Sequence, residues 1–303
     1  MQPRPLQHVS IWLEDYPSNE RVFSHALDWA SRLSLPLRAF IASPRFHARS
    51  TCHGSPVLSA DETNQCSEPV VEKIRTWGIA CSQRGVTLEM FMWPGDGDVG
   101  MNQFLRRGGI CVFADACSGT EQDRRRRSTR NHENALLLCS PNCTSMSRIL
   151  VVYNHVAPHG AYLESALGLC QALEVPPVIL IVAKTESEAD RGRGYAEGIC
   201  TFSRLQADFD VLVGCDLRTA VKRVALWRSC SHLIIERQNA VFPRQRGNDD
   251  VLYQLGRLSE SVSILVLPEA VAFDVPRKIR RGALNLERYG STDTPTIRLQ
   301  ETS

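Results

Sequence analysis

Residues 148–173, RILVVYNHVAPHGAYLESALGLCQAL, combine a short apolar run, a polar turn and an amphipathic helix. Residues 8–33, HVSIWLEDYPSNERVFSHALDWASRL, align with this stretch without a gap when the numbering is shifted by 140. The aligned pairs are Val9/Ile149, Ile11/Val151, Glu14/Asn154, Ala26/Ala166, Leu27/Leu167 and Leu33/Leu173. A chain that restarts midway with the same strand, turn and helix is best interpreted as two copies of one domain.

The composition is that of an ordinary globular protein. The 303 residues fit two domains of usual size, with 43% hydrophobic and 22% charged residues. A net charge of +2 indicates neither a nucleic acid nor a membrane as partner. The N-terminus lacks a signal-peptide pattern, and the apolar runs are far shorter than the roughly 20 residues that span a bilayer. We therefore expect a cytoplasmic protein.

The sequence contains 11 cysteines, an odd number that argues against a disulfide framework. Several lie within apolar patterns and are expected to be buried, reduced thiols: Cys111, Cys139, Cys170 and Cys200. Cys139 and Cys143, with His132 nearby, form a partial set of zinc ligands. Two thiols and one imidazole are too few for this pattern to predict a metal site.

Short apolar runs alternate with helical periodicities along both halves of the chain. In the first half, strands are predicted at 9–13, 37–42, 86–93, 110–114 and 135–139, with helices from about 19 and 70 and a short one near 99–105. In the second half, strands are predicted at 149–153, 178–182, 209–213, 232–235 and 263–267, with helices near 160–173, 193–205, 217–229 and 249–260. This alternation predicts an α/β fold in which each copy is doubly wound around a parallel sheet.

The order of these elements resembles the universal stress protein family in its tandem, two-domain form. The resemblance rests on the two strand-turn-helix openings and on the segments MFMWPGDGDVGMNQFLRRGGICVFAD, VLVGCDLRTAVKRVALWRSCSHLIIE, ALLLCSP and SILVLP. It implies two Rossmann-like (adenine-nucleotide-hydrolase-like) domains, each with a five-stranded parallel sheet, that pair through their last strands as an internal pseudo-dimer. We place the first copy at 1–145, the second at 146–270 and a polar tail at 271–303.

Ligands of doubly wound sheets bind at the carboxyl ends of the strands. Candidate residues of such a nucleotide cleft are Glu14, Asp15, Gly95, Asn154, Val182 and Gly214. The resemblance implies that nucleotide-binding members carry an Asp at the end of the first strand, where this chain has Glu14 and Asn154. Gly95 and Gly214 follow the third strands, where a simple turn explains them equally well.

The phosphate loop implied by the resemblance, Gly-x2-Gly-x9-Gly-Ser/Thr after the fourth strand, is missing from both copies. The first copy keeps Gly119 and the second keeps Gly247. In the first copy an arginine run occupies this place: Arg124, Arg125, Arg126 and Arg127. Arginine forks bind phosphate, so the run is either a substitute phosphate clamp or a solvated loop.

No Ser-His-Asp set, carboxylate pair or nucleophile elbow is present, so we assign no catalytic residue and no metal. His155 and His159 follow the first strand of the second copy and are expected to be surface or structural residues. Trp12, Trp29, Trp77 and Trp227 are expected in the core or at the seam between copies.

We therefore expect a non-enzymatic binding or regulatory protein of the universal stress type, with degenerate nucleotide sites and no bound cofactor. One alternative is an ATP-binding member or slow ATPase, with ATP or another adenine nucleotide as ligand. The other is a structural module that binds a protein partner through a sheet edge or the tail. A homodimer remains open beside the internal pseudo-dimer.

Overall fold

The computed structural model describes residues 4–13, 19–43, 68–94, 109–114, 134–140, 142–143, 145–154, 160–237, 261–268 and 271–272. The elements of the first half are β1 (Arg4–Pro5), β2 (Val9–Leu13), α1 (Asn19–Leu33), β3 (Leu37–Ser43), α2 (Glu68–Gln83), β4 (Leu88–Pro94), β5 (Ile110–Ala114) and β6 (Ala135–Cys139). Those of the second half are β7 (Ile149–Asn154), α3 (Gly160–Leu173), β8 (Pro177–Ala183), α4 (Glu186–Ser203), β9 (Asp208–Val213), α5 (Leu217–Trp227), β10 (His232–Glu236), β11 (Ser263–Leu267) and β12 (Val271–Ala272).

Ten of these strands form one sheet, in the order β4-β3-β2-β5-β6-β11-β10-β7-β8-β9. Each half contributes five parallel strands, as predicted, and its first strand lies between the second and the fourth, which makes each half doubly wound. The halves meet where β6 and β11 pair antiparallel, with Leu137 opposite Leu265. Pairing through the last strands is therefore confirmed.

The 140-residue repeat is confirmed at atomic detail. β2, α1 and β3 correspond to β7, α3 and β8, and the helix ends use the same turn. Ser34 has a φ of 55° and Glu174 a φ of 57°, both in the left-handed region. The following amides bond back to the helix, from Leu35 to the Ala30 carbonyl at 2.9 Å and from Val175 to the Cys170 carbonyl at 3.1 Å. The backbone turn is thus conserved between the copies although neither uses glycine there.

The sheet separates two apolar clusters. One face packs against α1, α2, α3 and α4, with Trp29 and Tyr162 among its largest buried side chains. The other face packs against α5. Helices α1 and α3 lie side by side across the seam, where Arg32 donates through Nη1 to the Leu173 carbonyl at 3.3 Å.

Several expectations for individual residues have a clear outcome. Trp29 and Trp77 are buried as predicted, whereas Trp227 is 70% exposed and its assignment to the core or seam was wrong. Trp227 ends α5 and stacks with the Arg228 guanidinium 4.7 Å from its ring. The cysteines expected to be buried, reduced thiols are buried and form no disulfide: Cys111, Cys139, Cys170 and Cys200. The side chain of Trp12 lies outside the described residues.

Helix α4 begins at Glu186 and not near 193 as predicted. Its start is fixed by Thr185, whose hydroxyl accepts from the Glu188 amide at 3.3 Å, while the Glu188 carboxylate accepts from the Lys184 amide at 2.9 Å. This pair of contacts resembles a capping box, except that Glu188 binds the amide of the residue before the N-cap. The helix buries only small side chains: Ala189, Gly192, Ala196 and Cys200. A face of small residues gives a weak periodic pattern, which is why its first turns were missed.

The two-residue strands β1 and β12 pair with each other in parallel and were not predicted. The predicted helices near 99–105 and 249–260 lie outside the described residues. Among the described helices, none is long and apolar enough to cross a bilayer.

Candidate functional site

The described part of the predicted cleft belongs to the second half-sheet, at the carboxyl ends of its strands. Asn154 ends β7 and lies opposite Val182 in the β7–β8 register. Gly214 follows β9, with a φ of 69°, and its amide donates to the Ala183 carbonyl at 3.0 Å. The structure thus places these three predicted residues together at the carboxyl ends of neighbouring strands. The positive φ explains why glycine is used at the β9 turn.

Helix α5 begins at this edge, directly after Gly214. Its N-cap is Asp216, whose Oδ1 accepts from the Thr219 amide at 3.0 Å. Hydrogen bonds from Thr219 lower the pKa of the Asp216 carboxyl. The donors of the first turn, which in other proteins bind phosphate, are therefore partly taken by the chain's own carboxylate.

Glu236, the last residue of β10, was not among the predicted site residues. Glu236 is only 1% exposed and lies at the carboxyl end of the fourth strand of this half. Tyr162 lies nearby and donates its hydroxyl to the Ile234 carbonyl at 3.0 Å. Burial raises the pKa of Tyr162 well above its ordinary value, and the negative charge of Glu236 raises it further. The strand was predicted at 232–235, one residue short of Glu236, and the carboxyl group at its end was not considered although a buried one is unusual.

Arg237 follows Glu236 and extends away from the cleft. Its Nη2 donates to the Asn134 carbonyl at 2.8 Å, next to the start of β6 in the first half. Burial lowers the pKa of this guanidinium. The first cation after the fourth strand is thus engaged in a contact between the two halves.

The remaining predicted site residues lie outside the described residues: Glu14, Asp15, Gly95, Arg124, Arg125, Arg126 and Arg127. The same holds for His132, His155 and His159. No group of three His, Cys, Asp or Glu side chains placed to hold a metal ion occurs within the described ranges. Cys139 and Cys143 are both buried, and neither forms a disulfide.

The buried thiols are poor nucleophiles because only a thiolate reacts readily. Burial raises the pKa of Cys111 and of Cys81 to about 12. It raises the pKa of Cys230 to about 11. These cysteines therefore serve as small apolar core residues at neutral pH.

No family model matches the sequence, and no relative is found among curated proteins. Solved structures resemble the fold over nearly the whole chain. A universal stress protein from Archaeoglobus fulgidus DSM 4304 superposes with a TM-score of 0.60 and 12% identity, covering 86% of this chain and 96% of its own. The cytoplasmic domain of a prokaryotic cation chloride cotransporter gives a TM-score of 0.55 at 12% identity, covering 87% and 96%.

A third structure, a putative universal stress protein from Pseudomonas aeruginosa UCBPP-PA14, gives a TM-score of 0.52 at 9% identity, covering 87% of this chain and 93% of its own. Each match spans both copies in one alignment. The chain therefore has the tandem universal stress protein fold that the sequence resembles. At such low identities the likeness concerns the fold alone.

Proposed function

We propose that this chain is a non-enzymatic, stress-related binding or regulatory protein of the universal stress type, with degenerate nucleotide sites in both copies. The observation that supports this most directly is Glu236, a buried carboxyl group at the end of the fourth strand. In nucleotide-binding members the glycine loop that cradles phosphate departs from this place. A buried acid there opposes a polyphosphate, because like charges in a poorly solvated site repel strongly.

Two neighbouring contacts support the same conclusion. The side chain of Arg237 donates to the Asn134 carbonyl, and the first turn of α5 is capped by Asp216. Some of the donors that a phosphate could use are thus engaged by the protein itself. These contacts support a cleft that does not hold a triphosphate, and we derive no reaction step through one.

The test is the change in melting temperature on adding millimolar ATP with magnesium. A ligand stabilises a fold appreciably only when its concentration approaches or exceeds its dissociation constant, so we expect a shift below about 1 °C. The variant Asn154→Arg, which places a bulky side chain at the end of β7, serves as the blocked control and should behave like the wild type. A shift of several degrees that is lost in Asn154→Arg would overturn the proposal.

Substitution of Arg124–Arg127 distinguishes this proposal from the ATP-binding alternative. Replacing the four arginines with serine should leave ATP retention in a filter-binding assay at the background level of the wild type. If the wild type retains ATP and the replacement abolishes it, the run is a phosphate clamp and the degenerate-site proposal is wrong for the first copy.

A further inference from the structure

Two adjacent apolar side chains at the end of α5 are exposed. Leu226 is 63% exposed and Trp227 is 70% exposed. The other large apolar side chains that the described residues expose occur singly in the sequence: Ile79, Tyr195 and Phe202. Single exposed apolar residues are common on soluble proteins, whereas neighbouring ones favour a contact surface.

The packing of α5 determines which residues accompany this apolar pair. The buried residues of the helix face the sheet: Leu217, Ala220, Val221, Val224 and Ala225. Lys222 and Arg223 precede the pair by one helical turn, so these four side chains share the outer side of the helix. Arg223 is exposed and Lys222 is half-buried. Among the described residues, neither cation has an acidic partner.

An acidic side chain lies on the other side of the pair. The Arg228 guanidinium stacks on Trp227, 4.7 Å from the ring centroid, and donates to Asp210 through two hydrogen bonds of 2.8 and 2.9 Å. Asp208 lies 3.7 Å from Arg228, and its side chain is 56% exposed. The Arg148 guanidinium is engaged with the Arg228 carbonyl at 3.2 Å. Asp208 is therefore the exposed charge of this group, beside a cation that Asp210 already binds.

These groups follow one another along the axis of α5. The helix ends shortly before β10 begins, so its last turn lies at the amino ends of the strands, where Asp208 begins β9. Lys222 and Arg223 lie one turn back, towards the carboxyl ends of the strands. Leu226 and Trp227 thus separate a basic region from an acidic one.

An apolar centre between opposite charges is complementary to itself. In a two-fold dimer the same surface serves both subunits, and residues on one side of the axis contact those on the other side. With the axis at the apolar pair, Lys222 and Arg223 of one subunit face Asp208 of the other. The same contact occurs twice, so both charged regions are matched. The pattern therefore fits a second copy of this chain.

Other occupants fit this surface less well. An anionic membrane would be repelled by Asp208, and the first turn of α5 adds no net charge because Arg218 lies beside Asp216. Extension of the sheet by a further strand is disfavoured, because Asp208 and Asp210 are charged residues on the edge strand β9.

We propose that the α5 patch, formed by Lys222, Arg223, Leu226, Trp227 and Asp208, is a two-fold interface through which two chains form a homodimer. The two α5 helices run antiparallel across the axis and bury the apolar pairs against each other. A contact of one helix and one strand end is small for a specific interface, so we expect a dissociation constant in the micromolar range. The interface lies at the opposite end of α5 from the candidate nucleotide cleft and does not rest on the function proposed above.

Sedimentation velocity of the full chain at protein concentrations from about 1 to 200 µM tests this. We expect an equilibrium between monomer and dimer. Trp227→Ala should weaken association about tenfold or more, and Leu226→Ala about fivefold, because each removes apolar area that the dimer buries. The matched control is Phe202→Ala, which removes a 92% exposed aromatic side chain from α4, on the other face of the sheet. It should change the dissociation constant by less than about twofold.

Charge reversal tests the two-fold arrangement. Lys222→Glu/Arg223→Glu places acids opposite acids, and Asp208→Lys places cations opposite cations. Each variant alone should therefore associate at least about tenfold more weakly than the wild type. In an equimolar mixture of the two variants, the introduced carboxylates of one chain face the introduced amine of the other, and the second contact keeps its natural residues. The mixture should dimerise nearly as well as the wild type.

Each outcome decides the matter. A wild type that stays monomeric at the highest concentration overturns the proposal. A dimer that Trp227→Ala and Leu226→Ala leave unchanged does so too, because its interface lies elsewhere. Failure of the mixed charge variants to dimerise shows that the two-fold arrangement is wrong. Cosedimentation of monomeric chain with vesicles of phosphatidylcholine and phosphatidylglycerol in equal parts, lost in Trp227→Ala, would assign the patch to a lipid surface instead.

Discussion

At the scale of single residues, His232 is the side chain whose burial has the largest consequence for acid stability. The folded protein holds its pKa near 3, whereas an unfolded chain has the ordinary value near 6.5. Between these values the unfolded chain takes up a proton that the folded chain does not. The contribution to stability is therefore complete above pH of about 6.5 and is lost as the pH falls towards about 3.

We expect the wild-type free energy of unfolding to fall by about 3 kcal/mol between about pH 7 and pH 4 through this group alone, given its pKa near 3. The variant His232→Gln removes the titration and should flatten the dependence, as measured by urea unfolding across this range. His25→Gln is the comparison: burial also lowers the pKa of His25, but this residue is only partly buried, so the flattening should be smaller. Equal slopes for the wild type and His232→Gln would contradict the assignment.

Single residues also show where sequence reasoning stops. Glu236 and His232 lie in one strand whose sequence, HLIIE, is interpreted correctly as a strand from its apolar centre. The two ionisable side chains lie at the ends of this strand, and their burial depends on residues that are distant in sequence. For His232 these are Trp29, whose ring lies 5.8 Å away, and Cys143, whose Sγ lies 4.0 Å from Nδ1. No local sequence pattern indicates such contacts, so the burial of these two polar side chains could not be predicted.

At the scale of elements, two glycines differ in what surrounds them. Gly109 precedes β5, and a Cβ atom there would lie 2.6 Å from the His8 carbonyl oxygen and 2.8 Å from the His8 ring. Gly168 lies in the middle of α3, and a Cβ atom there would meet nothing within 4 Å. Gly109 is needed because two backbone segments approach each other closely there. Gly168 has no such role and only weakens its helix.

We therefore expect opposite results from the same substitution. Gly109→Ala should lower the free energy of unfolding by about 1–3 kcal/mol, because the backbone of His8 must move. Gly168→Ala should raise it by about 0.5–1 kcal/mol through helix propensity. Chemical denaturation of both variants beside the wild type gives the signs. A stable Gly109→Ala, or a destabilised Gly168→Ala, would show that the packing described at that position is wrong.

Strands were predicted more reliably than helix ends, because a strand is marked by a local run of apolar residues whereas a helix end depends on a few capping contacts. The strands of the large sheet are short runs rich in apolar residues, and burial on both faces keeps central strands such as β7 and β8 apolar. The start of α4 depends on the capping contacts of Thr185 and Glu188, and its buried face consists of small residues. The pairing of β1 with β12 joins segments at opposite ends of the described chain, which no local pattern can indicate.

At the scale of the whole molecule, the repeat predicts two similar halves but not how they join. The last-strand pairing was implied by the family resemblance and is confirmed, whereas the boundaries at 145 and 270 stay predictions. The antiparallel contact of β6 with β11 makes one continuous sheet, and the apolar cluster beneath it includes residues of both halves. Residues so connected should unfold together rather than as two independent domains.

This continuity can be tested at Leu137 and Leu265, which face each other across the seam and are both fully buried. Leu137→Ala should lower the free energy of unfolding by about 2–5 kcal/mol through the lost contacts and the cavity. If the sheet is one cooperative unit, amide exchange should accelerate in the second half, at β10, as well as in the first, at β5. Leu226→Ala, at a residue 63% exposed on α5, is the control and should cost less than about 0.5 kcal/mol. Faster exchange confined to the first half would mean that the two copies are separate folding units that only touch.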